Sequence, residues 1–448
     1  MKLLRSGFVL FLLPLAAAGQ QSLSLGEAVQ IALKKSPLHQ AAFAETQVAK
    51  ADFTQARSAL FPKITFSELA IRGNDPIYVF GTKLRQQRFR MSDFALNQLN
   101  TPTPFGNFSS RFSGSWRIFD SMQNLKSLER ARALQDAETR QVERTDQELI
   151  ARVVQSYFGV LLAAKRIEVA EQSLRTAQSM EDETKARVES GMTTDADLLS
   201  AKVLSAERNQ ELVRARNDFS YAKAELAITM GSPSDAEFVL NSALSDKVLP
   251  QVEITSLERD ALRQRPDLQR ILKQQLAQRQ STSIAKAAFG PHIDAFGSWE
   301  TDSHSLGWNG GNNWTAGLEL QFDLFSGGAK KAQLDREKAN AEQVNALRRL
   351  YEDRVRLEVR RAYYDHDSAR AQVNVAKSAT EQAQESLRIL SNRYEAGLAT
   401  FTDLLRAEEA SHRTQIDYWE AVSRMQTSYT NLQLALGSLT PNSPVVTQ

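Results

Sequence analysis

Cysteine is absent from the 448 residues, so disulfides, thiolate metal ligands, a catalytic thiol and lipid attachment to an N-terminal cysteine are all excluded. Histidine is scarce: His39, His292, His304, His366 and His412 are scattered, with no pair at metal-ligand spacing. A glycine-rich phosphate loop is also missing, because GWNGGNNWTAG at 307–317 precedes a strand pattern and lacks the P-loop lysine. That segment reads as a turn between strands. Neither catalysis nor a cofactor or metal is expected. An excess of one charge is lacking too, with 55 Lys+Arg against 53 Asp+Glu. This argues against a dedicated nucleic-acid binder or a polybasic membrane binder.

Long apolar runs are confined to the start. MKLLRSGFVLFLLPLAAAGQ has a basic opening, an apolar stretch from Gly7 to Leu15, and small residues Ala16 and Ala18 at signal-peptidase spacing. Residues 1–18 are therefore expected to be a secretory signal peptide. Its removal takes away Lys2 and Arg5 and leaves 53 basic against 53 acidic residues. Nothing after it approaches the ~18–20 apolar residues of a spanning helix, so the exported chain is expected to be either soluble or a β-barrel.

What the chain does contain is a duplication. RVESGMTTDADLLSA (Arg187 to Ala201) and RYEAGLATFTDLLRA (Arg393 to Ala407) share Arg, Gly, Thr, Asp, two Leu and Ala at an offset of 206. The same offset pairs Phe119 with Phe325 and Gly231 with Gly437, while ALKKSP at Ala32 and ALRQRP at Ala261 match at 229. The change of offset places about 23 extra residues in copy one, between Pro62 and Phe119. The prolines, glycines and asparagines of segment 73–107 predict a long surface loop. The expected division is repeat 1 over 19–231, a linker over 232–255, repeat 2 over 256–437 and a tail over 438–448.

Each copy starts with a helical stretch of about 25 residues closed by Pro62 or Pro291. Strict alternation follows. Phe108, Ser110, Phe112, Gly114, Trp116 and Ile118 oppose Ser109, Arg111, Ser113, Ser115 and Arg117; Trp314 to Leu324 alternate likewise with Thr315 to Asp323. With weaker strands from Ile64 and His292, each copy offers two strands of barrel-crossing length, four in all. Two proline-free segments then predict helices of about 70 residues, roughly 100 Å long, with coiled-coil seams. Gly191 and Gly397 turn the chain into antiparallel return helices.

Neither a long helical hairpin nor a four-stranded sheet can bury its apolar surface alone, so self-association is expected. Three copies would close twelve strands into a barrel whose polar face lines water. On the repeat unit and the correctly spaced hairpin tips RVESGMTTDADLL and RYEAGLATFTDLL, the chain resembles the TolC-like outer-membrane efflux proteins of Gram-negative bacteria. The resemblance implies a mainly α fold with a β-barrel part: a homotrimer with a 12-stranded barrel in the outer membrane and a 12-helix tunnel in the periplasm. It implies docking to a periplasmic adaptor and an inner-membrane pump, the chain being a passive exit duct. Arg187, Gly191, Arg393 and Gly397 fall where such tips meet the adaptor, although glycine caps and helix-end arginines explain the same residues. Tyr394 matches a gating tyrosine and Asp403 an aspartate ringing the entrance. Thr400-x-x-Asp403 and Thr194-x-x-Asp197 are also capping-box patterns, and Arg406 stands where a second entrance acid is expected. The alternative is a soluble periplasmic coiled-coil adaptor or scaffold, which would need lipoyl-like segments that the sequence does not display.

Overall fold

The computed structural model describes residues 21–245 and 254–447. The expected signal peptide, 246–253 of the expected linker and the last residue of the expected tail lie outside them. In chain order the elements are β1 (Gln21–Leu23), α1 (Leu25–Lys35), α2 (Pro37–Ser58), β2 (Lys63–Gly73), α3 (Pro76–Arg85), α4 (Leu96–Asn100), β3 (Phe105–Phe119), α5 (Gln123–Glu189) and α6 (Asp195–Thr229). After β4 (Phe238–Leu240) come α7 (Ile254–Gln264), α8 (Pro266–Ala287), β5 (His292–Ser303), β6 (Gly311–Gln321), α9 (Ala329–Glu395) and α10 (Phe401–Leu436). The duplication is visible to the residue. Shifting α1 and α2 by 229 gives α7 and α8, and shifting α5 by 206 gives α9.

Two compact units cut across the two copies: of the described residues, one is formed by 21–42, 143–245, 254–265 and 354–447, the other by 43–142 and 266–353. In the first, helices pack around an apolar core of Val29, Val153, Val154, Tyr157, Leu226, Val422 and Met425, all at most 2 % exposed. The reason these segments are helical lies in their seams, whose apolar residues recur on one face and bury there, while caps fix the ends. α1 begins at a capping box, with Ser24 and Glu27 satisfying each other's backbone amides. The phenol of Tyr157 donates to the Leu23 carbonyl at 3.0 Å, tying α5 to β1.

The second unit holds one antiparallel sheet in the order β2-β3-β5-β6. β2 and β3 form the hairpin of copy one, β5 and β6 that of copy two, and β3 pairs with β5 across the duplication. β2 and β6 are free edges of the sheet. Register puts Phe66, Phe112, Trp299 and Trp314 in one row on one face. It puts Ser113, Ser298 and Thr315 on the other. The apolar face is not purely apolar, since Ser110 donates to Glu68 there. Part of it lies open, with Ile64 73 % exposed, Trp314 78 % and Leu320 68 %, whereas Ser110, Thr301 and Ser303 on the same face are buried.

Two expectations are corrected. The described residues contain six strands, not four, because β1 and β4 form a three-residue parallel ladder. Neither is long enough to show an alternation in sequence. Segment 73–107 is also not a plain surface loop: it folds into α3, a 3₁₀ turn at Met91–Phe94 and α4. Asp75 accepts the Tyr78 amide at 2.8 Å and Pro76 occupies the first turn, which starts α3. Val79, Thr82 and Gln86 are then buried against the rest of the unit.

Candidate functional site

Each long hairpin ends in the same closure. Gly191 (φ +74°) and Gly397 (φ +72°) adopt the left-handed conformation that favours glycine. The amides of Met192 and Leu398 reach back to the carbonyls of Arg187 and Arg393 at 2.8 and 2.7 Å. Both glycines are exposed, and the residues after them are exposed apolar side chains, Met192 at 73 % and Leu398 at 69 %. The sequence reading missed this pair. Its signal was an apolar residue following each tip glycine at the common offset.

The two tips also hold each other. The Arg187 guanidinium lies 4.6 Å over the Tyr394 ring and donates to the Glu395 carbonyl at 2.8 Å. Tyr394 is buried beside Phe401, Leu404, Met180 and Leu204, and its hydroxyl has no hydrogen-bond partner. Arg393 turns to its own tip, reaching the Leu398 carbonyl at 3.4 Å. Asp197 and Asp403 both sit in completed capping boxes with Thr194 and Thr400. Thr400 hydrogen bonds hold the half-buried Asp403 carboxyl below its usual range. Asp197 is lowered likewise, chiefly by the Thr193 hydroxyl.

Behind the tips, three helices meet at a buried ion cluster that the sequence did not suggest. Arg208 of α6 contacts Glu408 and Glu409 of α10 at 2.7 and 2.6 Å, and Glu211 at 3.2 Å. Ser173 of α5 donates to Glu408, and His412 meets Glu211 at 2.8 Å. Burial alone would depress the Arg208 guanidinium, but the hydrogen bonds it donates to Glu408 and Glu409 outweigh that and hold the group above its ordinary range. Further along α9, His366 is packed, at 8 % exposure, beside Ser428 and Tyr429. Among the described residues no cluster suits a metal, and no helix is long and apolar enough to cross a membrane.

The fold has counterparts in known proteins. The sequence profile described as outer membrane efflux protein matches residues 28–232 and 257–438. The chain belongs to that family. Among curated relatives of this efflux-protein chain, Nodulation protein T of Rhizobium leguminosarum bv. trifolii is 24 % identical over 414 residues, covering 89 % of this chain and 82 % of its own length. Alkaline protease secretion protein AprF of Pseudomonas aeruginosa is 23 % identical, covering 93 % and 85 %. Cation efflux system protein CusC of Escherichia coli is 24 % identical, covering 74 % and 73 %. A solved structure of CusC superposes with a TM-score of 0.79 at 19 % identity, over 94 % of this chain and 93 % of that one. VceC of Vibrio cholerae gives 0.77 at 19 %, over 92 % and 96 %. The mainly helical fold with a sheet portion is thus the fold of outer-membrane efflux channels, and the soluble-adaptor alternative is set aside.

Proposed function

We propose that this protein is the passive exit duct of a tripartite efflux or type I secretion system. It works as a homotrimer in the bacterial outer membrane. The observation that carries the reading is the sheet: one apolar, partly open face, one polar face, and unpaired edges at β2 and β6. An unpaired edge in hydrocarbon is costly, and pairing β2 of one chain with β6 of the next removes every edge by closing a barrel. The polar face then lines water, and the long helices continue the passage through the periplasm. Relatives named for cation efflux and for protease secretion support a duct common to different cargoes.

At the far end of the helices, Gly191 and Gly397 shape the tips that dock onto a periplasmic adaptor, which couples the duct to an inner-membrane pump. Exposed Met192 and Leu398 supply apolar contact beside Arg187 and Arg393. Tyr394 keeps the tips together through Arg187, and opening the entrance separates that pair. Asp403 adds a carboxylate ring around the entrance as well as its cap. The test is native mass measurement in mild detergent, followed by planar-bilayer recording. A trimer near three times 50.1 kDa, less the leaders, is expected; monomers alone would refute the duct. Asp403→Asn lowers cation preference whereas Asp197→Asn does not. Equal, negligible effects remove Asp403 from the entrance.

A further inference from the structure

The extra residues of copy one sit on a particular face of the sheet. β2 leads away from α2 and β3 leads back to α5, so segment 74–104 lies at the end of the sheet remote from those helices. From there it folds over the polar face. A Cβ on Gly311, which shares that face with Asp302, Asn313 and Ser109, would meet the Arg85 carbonyl at 2.0 Å. Gly311 has no side chain where the insertion crosses, and any larger residue would push the insertion off.

The crossing is secured by a polar network. Gln86 donates to the Gly106 carbonyl at 3.0 Å and to the Asn107 side chain at 2.8 Å. Asn107 donates to Asp302 at 2.6 Å, and Asn313 bridges Asp302 and the Arg85 carbonyl. Glu300 receives Ser109, Arg111 and Arg85. Asp302 is fully buried and Gln86 is 4 % exposed, so these groups depend on one another for partners. The segment carries Lys83, Arg85, Arg88 and Arg90 against Asp75 and Asp93, a net charge of +2. Lys83 is neutralised by Asp93 at 2.8 Å, whereas Arg88 and Arg90 are exposed.

We infer that segment 74–104 is a basic constriction inside the outer mouth of the duct, fixed to the luminal wall and selecting for anionic over cationic solutes. The inference rests on the duct reading, because the polar face is luminal only in the closed barrel. Three copies bring three pairs of Arg88 and Arg90 around one axis, and a ring of fixed cations attracts anions and repels cations.

The experiment is planar-bilayer recording in a potassium chloride gradient. Arg88→Glu/Arg90→Glu changes the segment from +2 to −2 and should move the reversal potential towards potassium. Replacing 74–104 by a short Gly-Ser turn should raise single-channel conductance by about twofold or more. Because the chain has no cysteine, Arg88→Cys offers a third measure that leaves the segment in place: a thiol-reactive cation added from the outer side should step the current down. If the unaltered protein forms pores but charge reversal leaves the reversal potential unchanged, the turn replacement leaves the conductance unchanged and the thiol-reactive cation leaves the Arg88→Cys current unchanged, the constriction is overturned while the duct stands. Unaltered protein that forms no pores would overturn the duct reading and this one with it.

Discussion

Arg208→Met is the substitution that best tests how the hairpins are held. The Arg208 side chain is 8 % exposed and Glu408 is 3 % exposed. Removing the cation leaves the Glu408 carboxylate buried with Ser173 as its remaining partner. An uncompensated buried charge of this kind loses about 3–5 kcal/mol per chain. Glu409 is different: its side chain is 59 % exposed, so Glu409→Gln should lose no more than about 1 kcal/mol. The double change Arg208→Met/Glu408→Met removes both buried charges and should recover most of the single loss, because a well-packed apolar pair can replace a buried ion pair. Urea midpoints of the assembled protein, with limited proteolysis at the hairpin ends, measure all three. If Arg208→Met loses as little as Glu409→Gln, or if the double variant is the weakest, the cluster is a solvated surface network and the reasoning fails.

Three further outcomes are expected. Arg at Phe112 or Leu320, on the apolar face, should lose about 2–4 kcal/mol near the bilayer midplane, whereas Arg at Ser113 or Gln321 is tolerated; equal damage in membrane-assembly assays would show the faces to be misassigned. Ser121 (φ +55°) and Met122 (φ +74°) occupy the strand-to-helix turn that copy two builds from Gly327 and Gly328. Relief of roughly 1–2 kcal/mol of left-handed strain in Met122→Gly, less roughly 0.4–1 kcal/mol of chain entropy, should raise the urea midpoint slightly, while Gly328→Met lowers it. Burial, aided by the charge of Arg370, lowers the pKa of His366. The unfolded chain therefore binds the extra proton, and stability should fall as pH drops below about 6.5, a slope that His366→Leu flattens.

The long helices were legible because their signals are local and redundant. Seam spacing, absence of proline and the tip glycines all point the same way over 67 residues in each of α5 and α9. The sheet parity was legible for the same reason. The insertion was not, since its helices are short and Gln86 finds its partners 20 and 21 residues away on a strand. The ion cluster was further out of reach: Ser173, Arg208 and Glu408 come from separations of 235 and 200 residues. Asp403 read as entrance acid or cap, and the cap geometry is present.

The pairing of β3 with β5 has a consequence for how the chain matures. Phe108 lies opposite Ser303 and Phe112 opposite Trp299, so the centre of the sheet joins strands made far apart in synthesis. Helical hairpins can form as soon as their own residues are available, but the sheet must wait for copy two. Closing so long a loop delays pairing. Even then the finished sheet presents two bare edges and an aromatic wall to water. In the proposed trimer neighbouring chains cover those edges, and before they do so the sheet is a template for indiscriminate strand addition. Maturation should therefore accelerate with chain concentration and need a holding factor in the compartment it crosses, and its vulnerable stage is the isolated folded chain rather than the unfolded one.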